Sequence, residues 1–130
     1  MAIQPKHILI ADDDQDDILL FENALEETCP DLKLTSANNG QTLLNLLKKI
    51  STPDAILLDL NMPKKNGKEC LVEIRSNKEF NHVPIIILTT SANEADKAYC
   101  LSRGANQYYV KPSSFQGLKS IVQSICNGWY

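Results

Sequence analysis

No stretch of this chain approaches the ~18 consecutive apolar residues that a membrane-crossing helix requires. The start, Met1 to Lys6, has no apolar core of signal-peptide length either. A membrane protein and an exported one are therefore set aside, and the expected location is the cytoplasm. The four cysteines, Cys29, Cys70, Cys100 and Cys126, stand far apart with no CxxC pair, and neither histidine lies near them at metal-ligand spacing. They read as small hydrophobic side chains on helices rather than as a disulfide framework or a zinc site. Basic residues are also sparse. Lys64, Lys65 and Lys68 make the one notable cluster, no basic stripe carries interleaved aromatics, and net charge is −3; nucleic acid is not an expected partner. Only five glycines occur, and none forms the Gly-rich loop that a nucleotide or flavin site needs after its first strand.

What the chain does have is a globular balance, 43% hydrophobic and 22% charged over 130 residues. That suits one domain with its own core, so the expected organisation is a single unit over residues 1–130 with no output domain. Five short apolar runs alternate with five amphipathic patterns. The predicted strands are His7–Asp12, Leu32–Ala37, Ala55–Leu60, Pro84–Thr89 and Gln107–Val110. The first, third and fourth are continuously apolar, as strands buried on both faces are, whereas the second alternates like a half-exposed edge. Between them, Ile18, Phe21 and Leu25 share one helical face, as do Leu43, Leu46, Leu47 and Ile50, and Phe115, Leu118, Val122 and Ile125. Ser91 and Glu94 have capping-box spacing at the start of the fourth helix, and Gly104 is placed to end it. That helix has a weak apolar face, Ala95, Ala98 and Leu101, and is expected to be the loosest. Strict alternation implies an α/β fold: a doubly wound, flavodoxin-like parallel sheet of five strands, order 2-1-3-4-5, with helices on both faces and its switch point between strands one and three.

The polar residues gather at the carboxyl ends of these strands, where open α/β sheets bind ligands. Asp12 and Asp13 end the first, Asp59 the third, and Thr89 and Thr90 the fourth; Lys111 follows the fifth. Three carboxylates meeting at a switch point raise one another's pKa unless a cation relieves them. All-oxygen ligands suit a hard ion such as Mg²⁺. Asp14, Asp16 and Asp17 read more simply, as acids complementing the dipole of the first helix. Lys111, on a tight turn before Pro112, can pair with a carboxylate or reach phosphoryl oxygens. The Thr89 hydroxyl can donate to the same oxygens.

The segments I-L-I-A-D-D-D, I-L-L-D-L-N-M-P-x-x-x-G, I-I-I-L-T-T and Y-V-K-P, in this order and at this spacing, resemble the receiver domain of two-component response regulators over essentially the whole chain. The wording D-L-N-M-P-K-K-N-G and L-T-T-S is most similar to small single-domain regulators associated with bacterial phytochrome kinases. The resemblance implies that Asp59 is the phosphoacceptor, attacking a phosphohistidine of a histidine kinase, in the narrower case a phytochrome-type photoreceptor kinase. It implies that Asp13 and Asp59 ligate Mg²⁺ directly, with Asp12 acting through water and the Asn61 backbone carbonyl completing the protein ligands. It implies that Lys111 contacts the phosphoryl group, that its bond to Pro112 is cis, that Thr89 swings toward the phosphoryl, and that Tyr108 reports the change. The signal then leaves to a downstream protein or a homodimer through the face of the fourth helix, fifth strand and fifth helix. The domain would be a signalling module rather than an enzyme. A phosphohydrolase on a similar scaffold would need an acid where Asn61 stands and a cap that no insertion supplies. Thr90 stands where many receivers have Ala or Gly, and the larger side chain bears on how fast Asp59 is reached.

Overall fold

The computed structural model describes residues 5–128. The ends of the expected 1–130 unit, including Met1 to Gln4, lie outside the described residues. Five strands, β1 (His7–Ala11), β2 (Lys33–Ala37), β3 (Ala55–Leu58), β4 (Ile85–Thr89) and β5 (Gln107–Val110), form one parallel sheet in the order β2-β1-β3-β4-β5. Between and after them run α1 (Gln15–Thr28), α2 (Gly40–Leu47), α3 (Gly67–Ser76), α4 (Glu94–Ser102) and α5 (Phe115–Cys126), with a short 3₁₀ turn at Lys78–Phe80. The strands stop one or two residues short of the expected ends at Asp12 and Leu60, although the N–H groups of Asp12 and Asp59 still bond to the neighbouring strands.

Alternation along each central strand divides the core in two. Ile8, Ile10, Ala55, Leu57, Ile86 and Leu88 point to one side and meet Phe21, Leu25, Val122 and Ile125 of α1 and α5. Leu9, Ala11, Ile56, Leu58, Ile85 and Ile87 point to the other and meet Leu43, Leu47, Leu71 and Ile74 of α2 and α3. The continuous apolar runs were needed because both faces of the sheet are covered. Each such side chain, wholly removed from water, contributes about 1.5–3 kcal/mol. Tyr108 and Tyr109 obey the same two-residue period: Tyr108 packs in the second layer and Tyr109 in the first.

Caps fix where the helices begin. Asp14 is the N-cap of α1, accepting from the amides of Asp16 and Asp17. Asn66 and Glu69 form a reciprocal capping box on α3. The expected capping box at Ser91 and Glu94 is not formed. Asn93 caps α4 instead, accepting from Ala95 N–H, so the helix starts two residues later than a Ser91 cap requires. The rotation matters: Ala95, Ala98 and Leu101 face outward, and Asp96, Tyr99 and Cys100 face inward. Three-residue and four-residue steps put these last three on one face. Only Cys100 is buried in α4, against four residues in each other α-helix, in keeping with the weak anchoring expected of it. Gly104 does end α4. Its φ of +104° is a left-handed conformation that favours glycine, and an added Cβ would press on the Arg75 side chain. Phe115, expected on the buried face of α5, sits at its first turn and is 36% exposed.

Candidate functional site

The backbone ladder delivers the acids to one place. Asp12 N–H donates to Ala37 O at 3.0 Å, and Asp59 N–H to Ala11 O at 3.0 Å, so the two carboxylates leave adjacent strands side by side. One carboxylate oxygen from each of Asp12, Asp13 and Asp59 lies within 4.8 Å of the other two. Asp12 and Asp59 are buried and Asp13 is exposed. Gly67 lets the loop after β3 fold back: its N–H donates to Leu60 O at 3.0 Å, and a Cβ there would collide with the Asp59 carbonyl. Asn61, exposed, follows in that loop and its N–H donates to Asp59 Oδ1 at 3.3 Å.

Lys111 closes the pocket from β5. Its N–H donates to Thr89 O at 2.7 Å, which pins the turn. Its ammonium lies 2.8 Å from Asp12, 3.1 Å from Asp59 and 2.6 Å from Asp17. Asp17 is thus more than a dipole complement. Lying near the start of α1, it reaches the lysine that also serves the strand-end acids, which spacing along the chain did not disclose. The Lys111–Pro112 bond is trans, contrary to the cis bond the resemblance implied; no cis peptide occurs among the described residues. For an X–Pro bond trans is the lower-energy isomer by about 0.5–1 kcal/mol, and in that form the lysine already bridges three carboxylates.

The electrostatics show an excess of negative charge. Burial pushes the Asp12 carboxyl up to about 6; Lys111 and the Asp14 N–H oppose that rise, and Asp59 adds to it. Burial works to lower the Lys111 pKa, but the carboxylates of Asp12 and Asp17 outweigh it and hold the ammonium above its ordinary value. Three acids, Asp12, Asp17 and Asp59, share that one lysine, and Asp13 adds a fourth carboxylate beside them. A carboxylate whose pKa is raised by burial, with further carboxylates beside it, is an environment that a divalent cation relieves. The all-oxygen donor set and its spacing fit such an ion.

Thr89 is fully buried at the end of β4, and its Oγ1 accepts from Ser91 N–H at 3.4 Å. Tyr108 is buried, its hydroxyl donating to Ser91 O at 2.8 Å. Thr90 is exposed. The structure thus brings Asp12, Asp13, Asp59 and Lys111 together, with Asn61 on the loop after β3, Thr89 at the end of β4 and Tyr108 one strand further out. Reading the sequence did not reveal Ser91 as the residue to which Thr89 and Tyr108 are both bonded.

A five-stranded parallel sheet in the order 2-1-3-4-5 with helices on both faces, and three carboxylates and a lysine ammonium gathered at its switch point, is the flavodoxin-like architecture of receiver domains. The profile of the response regulator receiver domain matches residues 8–123, and the chain belongs to that family. It is 34% identical to the response regulator Rcp1 of Synechocystis sp. over 131 aligned residues, 96% of this chain and 89% of Rcp1. The structure of the phosphorylated cyanobacterial phytochrome response regulator RcpA superposes with a TM-score of 0.89 at 33% identity, covering 95% of this chain and 93% of RcpA. The Mn²⁺-bound form of Rcp1 superposes with a TM-score of 0.84 at 34% identity, covering 93% and 91%. The chain is a response-regulator receiver of two-component signalling, related to phytochrome response regulators. Among the described residues no helix is long and apolar enough to cross a membrane.

Proposed function

We propose that this receiver accepts a phosphoryl group on Asp59 from a phosphohistidine of a histidine kinase, of the phytochrome type in the narrower reading. The observation that carries the reading is the meeting of Asp12, Asp13 and Asp59 with the Lys111 ammonium at the sheet's switch point. A carboxylate oxygen of Asp59 attacks phosphorus, the P–N bond breaks, and its electron pair stays on the imidazole nitrogen. Asp13 and Asp59 would hold Mg²⁺ directly, Asp12 through water, and the Asn61 carbonyl would complete the protein's share. When bound, the ion supplies positive charge against the phosphoryl oxygens. Lys111 supplies further positive charge from the opposite side, which requires only that it turn from Asp17 and Asp12 toward the new anion. Thr89, now engaged with Ser91, would donate its hydroxyl to a phosphoryl oxygen, and Tyr108 would respond through the same loop.

The product adds roughly −2 charge and three acceptors, enough to bias a two-state element. The weak anchoring of α4 supports the face of α4, β5 and α5 as that element. In this reading residues 1–130 act in the cytoplasm as a signalling module and pass the message to a downstream protein or a second copy rather than to nucleic acid. The test is intact mass after incubation with an acyl phosphate and Mg²⁺. One phosphate should be added to the wild type and none to Asp59→Asn. Retention of the label at the wild-type rate in that variant would refute the assignment.

A further inference from the structure

A second cluster of polar side chains lies outside the acidic pocket, across a cleft lined by Asp13, Asn61, Asn66, Lys68 and Asp96. Lys68, the second residue of α3, places its ammonium 2.6 Å from Asp96 Oδ1, on the inward face of α4. The other oxygen of Asp96 accepts from Ser91 Oγ at 2.6 Å. The Tyr99 ring, one turn further along α4, lies 5.1 Å from the Lys68 ammonium and 5.2 Å from the Arg103 guanidinium. Ser91 is itself the residue whose N–H occupies Thr89 Oγ1 and whose carbonyl accepts from Tyr108. A continuous path therefore runs from α3, through Lys68 and Asp96, to Ser91, and from Ser91 to the two residues read above as the switch.

We propose that Lys68 and Asp96 form a clasp across the mouth of the acidic pocket, and that they act as positioning residues: closed, the clasp holds Ser91 where it occupies the Thr89 hydroxyl. The pair ties the first turn of α3 to the first turn of α4, and through Asp96 it reaches Ser91 in the loop of residues 90–93 between β4 and α4. Swinging the Thr89 side chain toward a phosphoryl group would break the 3.4 Å bond that its Oγ1 accepts from Ser91 N–H, so by holding Ser91 the clasp sets how often the reactive arrangement is visited. The electrostatics agree. The ammonium of Lys68 lowers the pKa of Asp96, with Ser91 assisting, and Asp96 raises that of Lys68. Both side chains remain partly open to solvent, 38% and 25% exposed, so the pair is a light restraint that a new charge on Asp59 can overcome.

The inference rests on the reading of Asp59 and Thr89 given above, and its test separates the two. Amide hydrogen exchange is measured on protein without metal or donor. Lys68→Met should speed exchange of residues 90–96 about two- to fivefold, the range open to one exposed ion pair, with α1 and α5 unchanged. Lys68→Arg should keep the wild-type rate, and Asp96→Ala, which removes the acceptor of both Lys68 and Ser91, should speed exchange at least as much as Lys68→Met. The same variants are then labelled with acyl phosphate: Lys68→Met and Asp96→Ala should label faster by a similar factor, and Lys68→Arg should stay at the wild-type rate. Unaltered exchange of residues 90–96 in Lys68→Met overturns the clasp. So does a faster exchange with no change in labelling rate, provided that the wild type labels. If the wild type takes no phosphate at all, the assignment of Asp59 has failed, and the exchange data still decide whether Lys68 holds Ser91.

Discussion

Lys111 and Asp17 are 94 residues apart in sequence and 2.6 Å apart in space. The Asp17 carboxylate is the nearest of the three that surround the ammonium, nearer than Asp59 at 3.1 Å. It therefore competes with the proposed phosphoacceptor for the same cation. Asp17 is itself 32% exposed, so solvent screens the pair and little stability depends on it. Asp17→Asn should change the free energy of unfolding by less than about 1 kcal/mol, read by urea denaturation, and should leave acyl-phosphate labelling of Asp59 intact. Loss of labelling in that variant would make Asp17 one of the reacting groups.

Lys111→Ala removes the one cation shared by Asp12, Asp17 and Asp59. Without metal the variant should be less stable near neutral pH by about 1–3 kcal/mol, the cost of leaving buried charged acceptors unpaired. Divalent-ion affinity should hold or rise, because the competing ammonium is gone. The response of α4 to phosphorylation should be lost. Calorimetric titration with Mg²⁺ and hydrogen exchange read the two effects separately. Loss of metal binding together with loss of fold would assign Lys111 to structure alone.

The acid–base behaviour of Asp12 gives a signed expectation. Its pKa is raised from 3.8 to about 6 in the folded protein, so between those values the folded state holds more protons than the unfolded one. The group's contribution to stability is thus full below about pH 4 and is lost as pH rises through about 6, a change on the order of 2 kcal/mol. Asp12→Asn, which carries no charge to bury, should therefore be more stable than the metal-free wild type at pH 7.5. The advantage should shrink toward pH 4. Saturating Mg²⁺ should narrow it at pH 7.5, since an ion that binds only the folded form stabilises it. Thermal unfolding across that range with and without chelator checks the sign; an advantage that grows toward low pH would contradict it.

Much of this was legible in the chain because the central strands are buried on both sides. Runs such as Ile8–Ala11 and Ala55–Leu58 admit few alternatives, and strand order followed from which run alternates. The strand ends then brought Asp12, Asp13, Asp59 and Lys111 together. The start and rotation of α4 were not legible. Ser91 and Asn93 are both good caps, and one residue of helix phase decides whether Ala98 or Asp96 faces inward. Nor were the pairs Lys111–Asp17 and Lys68–Asp96. Each joins a long flexible lysine side chain to an aspartate on a different element, and such contacts depend on how those elements are placed, not on local periodicity.

Gly67 begins α3, but its lack of a side chain serves β3. A Cβ there would meet the Asp59 carbonyl and lie 2.8 Å from Leu60 Cα, and neither backbone atom can retreat without moving Asp59. Gly67→Ala should destabilise the protein by about 1–3 kcal/mol, measured by urea denaturation, and slow labelling of Asp59 beyond what the lost stability explains. Normal labelling at full stability would show that the loop adapts freely.

For the output face, beryllofluoride with Mg²⁺ serves as a stable mimic of the phosphorylated form. Hydrogen exchange should change most, away from the pocket, in residues 92–104 and 107–109, around a helix that buries only Cys100. Changes confined to α2 (Gly40–Leu47), with α4 silent, would move the output elsewhere.

The pocket is assembled from residues as distant as Asp12 and Lys111, which directly follow the first and last strands of the chain. No contiguous piece of the chain holds it. During synthesis Asp59 emerges well before β5 exists, and until that strand docks, no lysine stands beside the acids. Parallel pairing also waits for each crossover helix to close, a slow and non-local event. On the proposed reading the pocket is therefore complete only once β5 has docked and is lost when β5 detaches. A copy in which β5 has not docked would be mute rather than misleading.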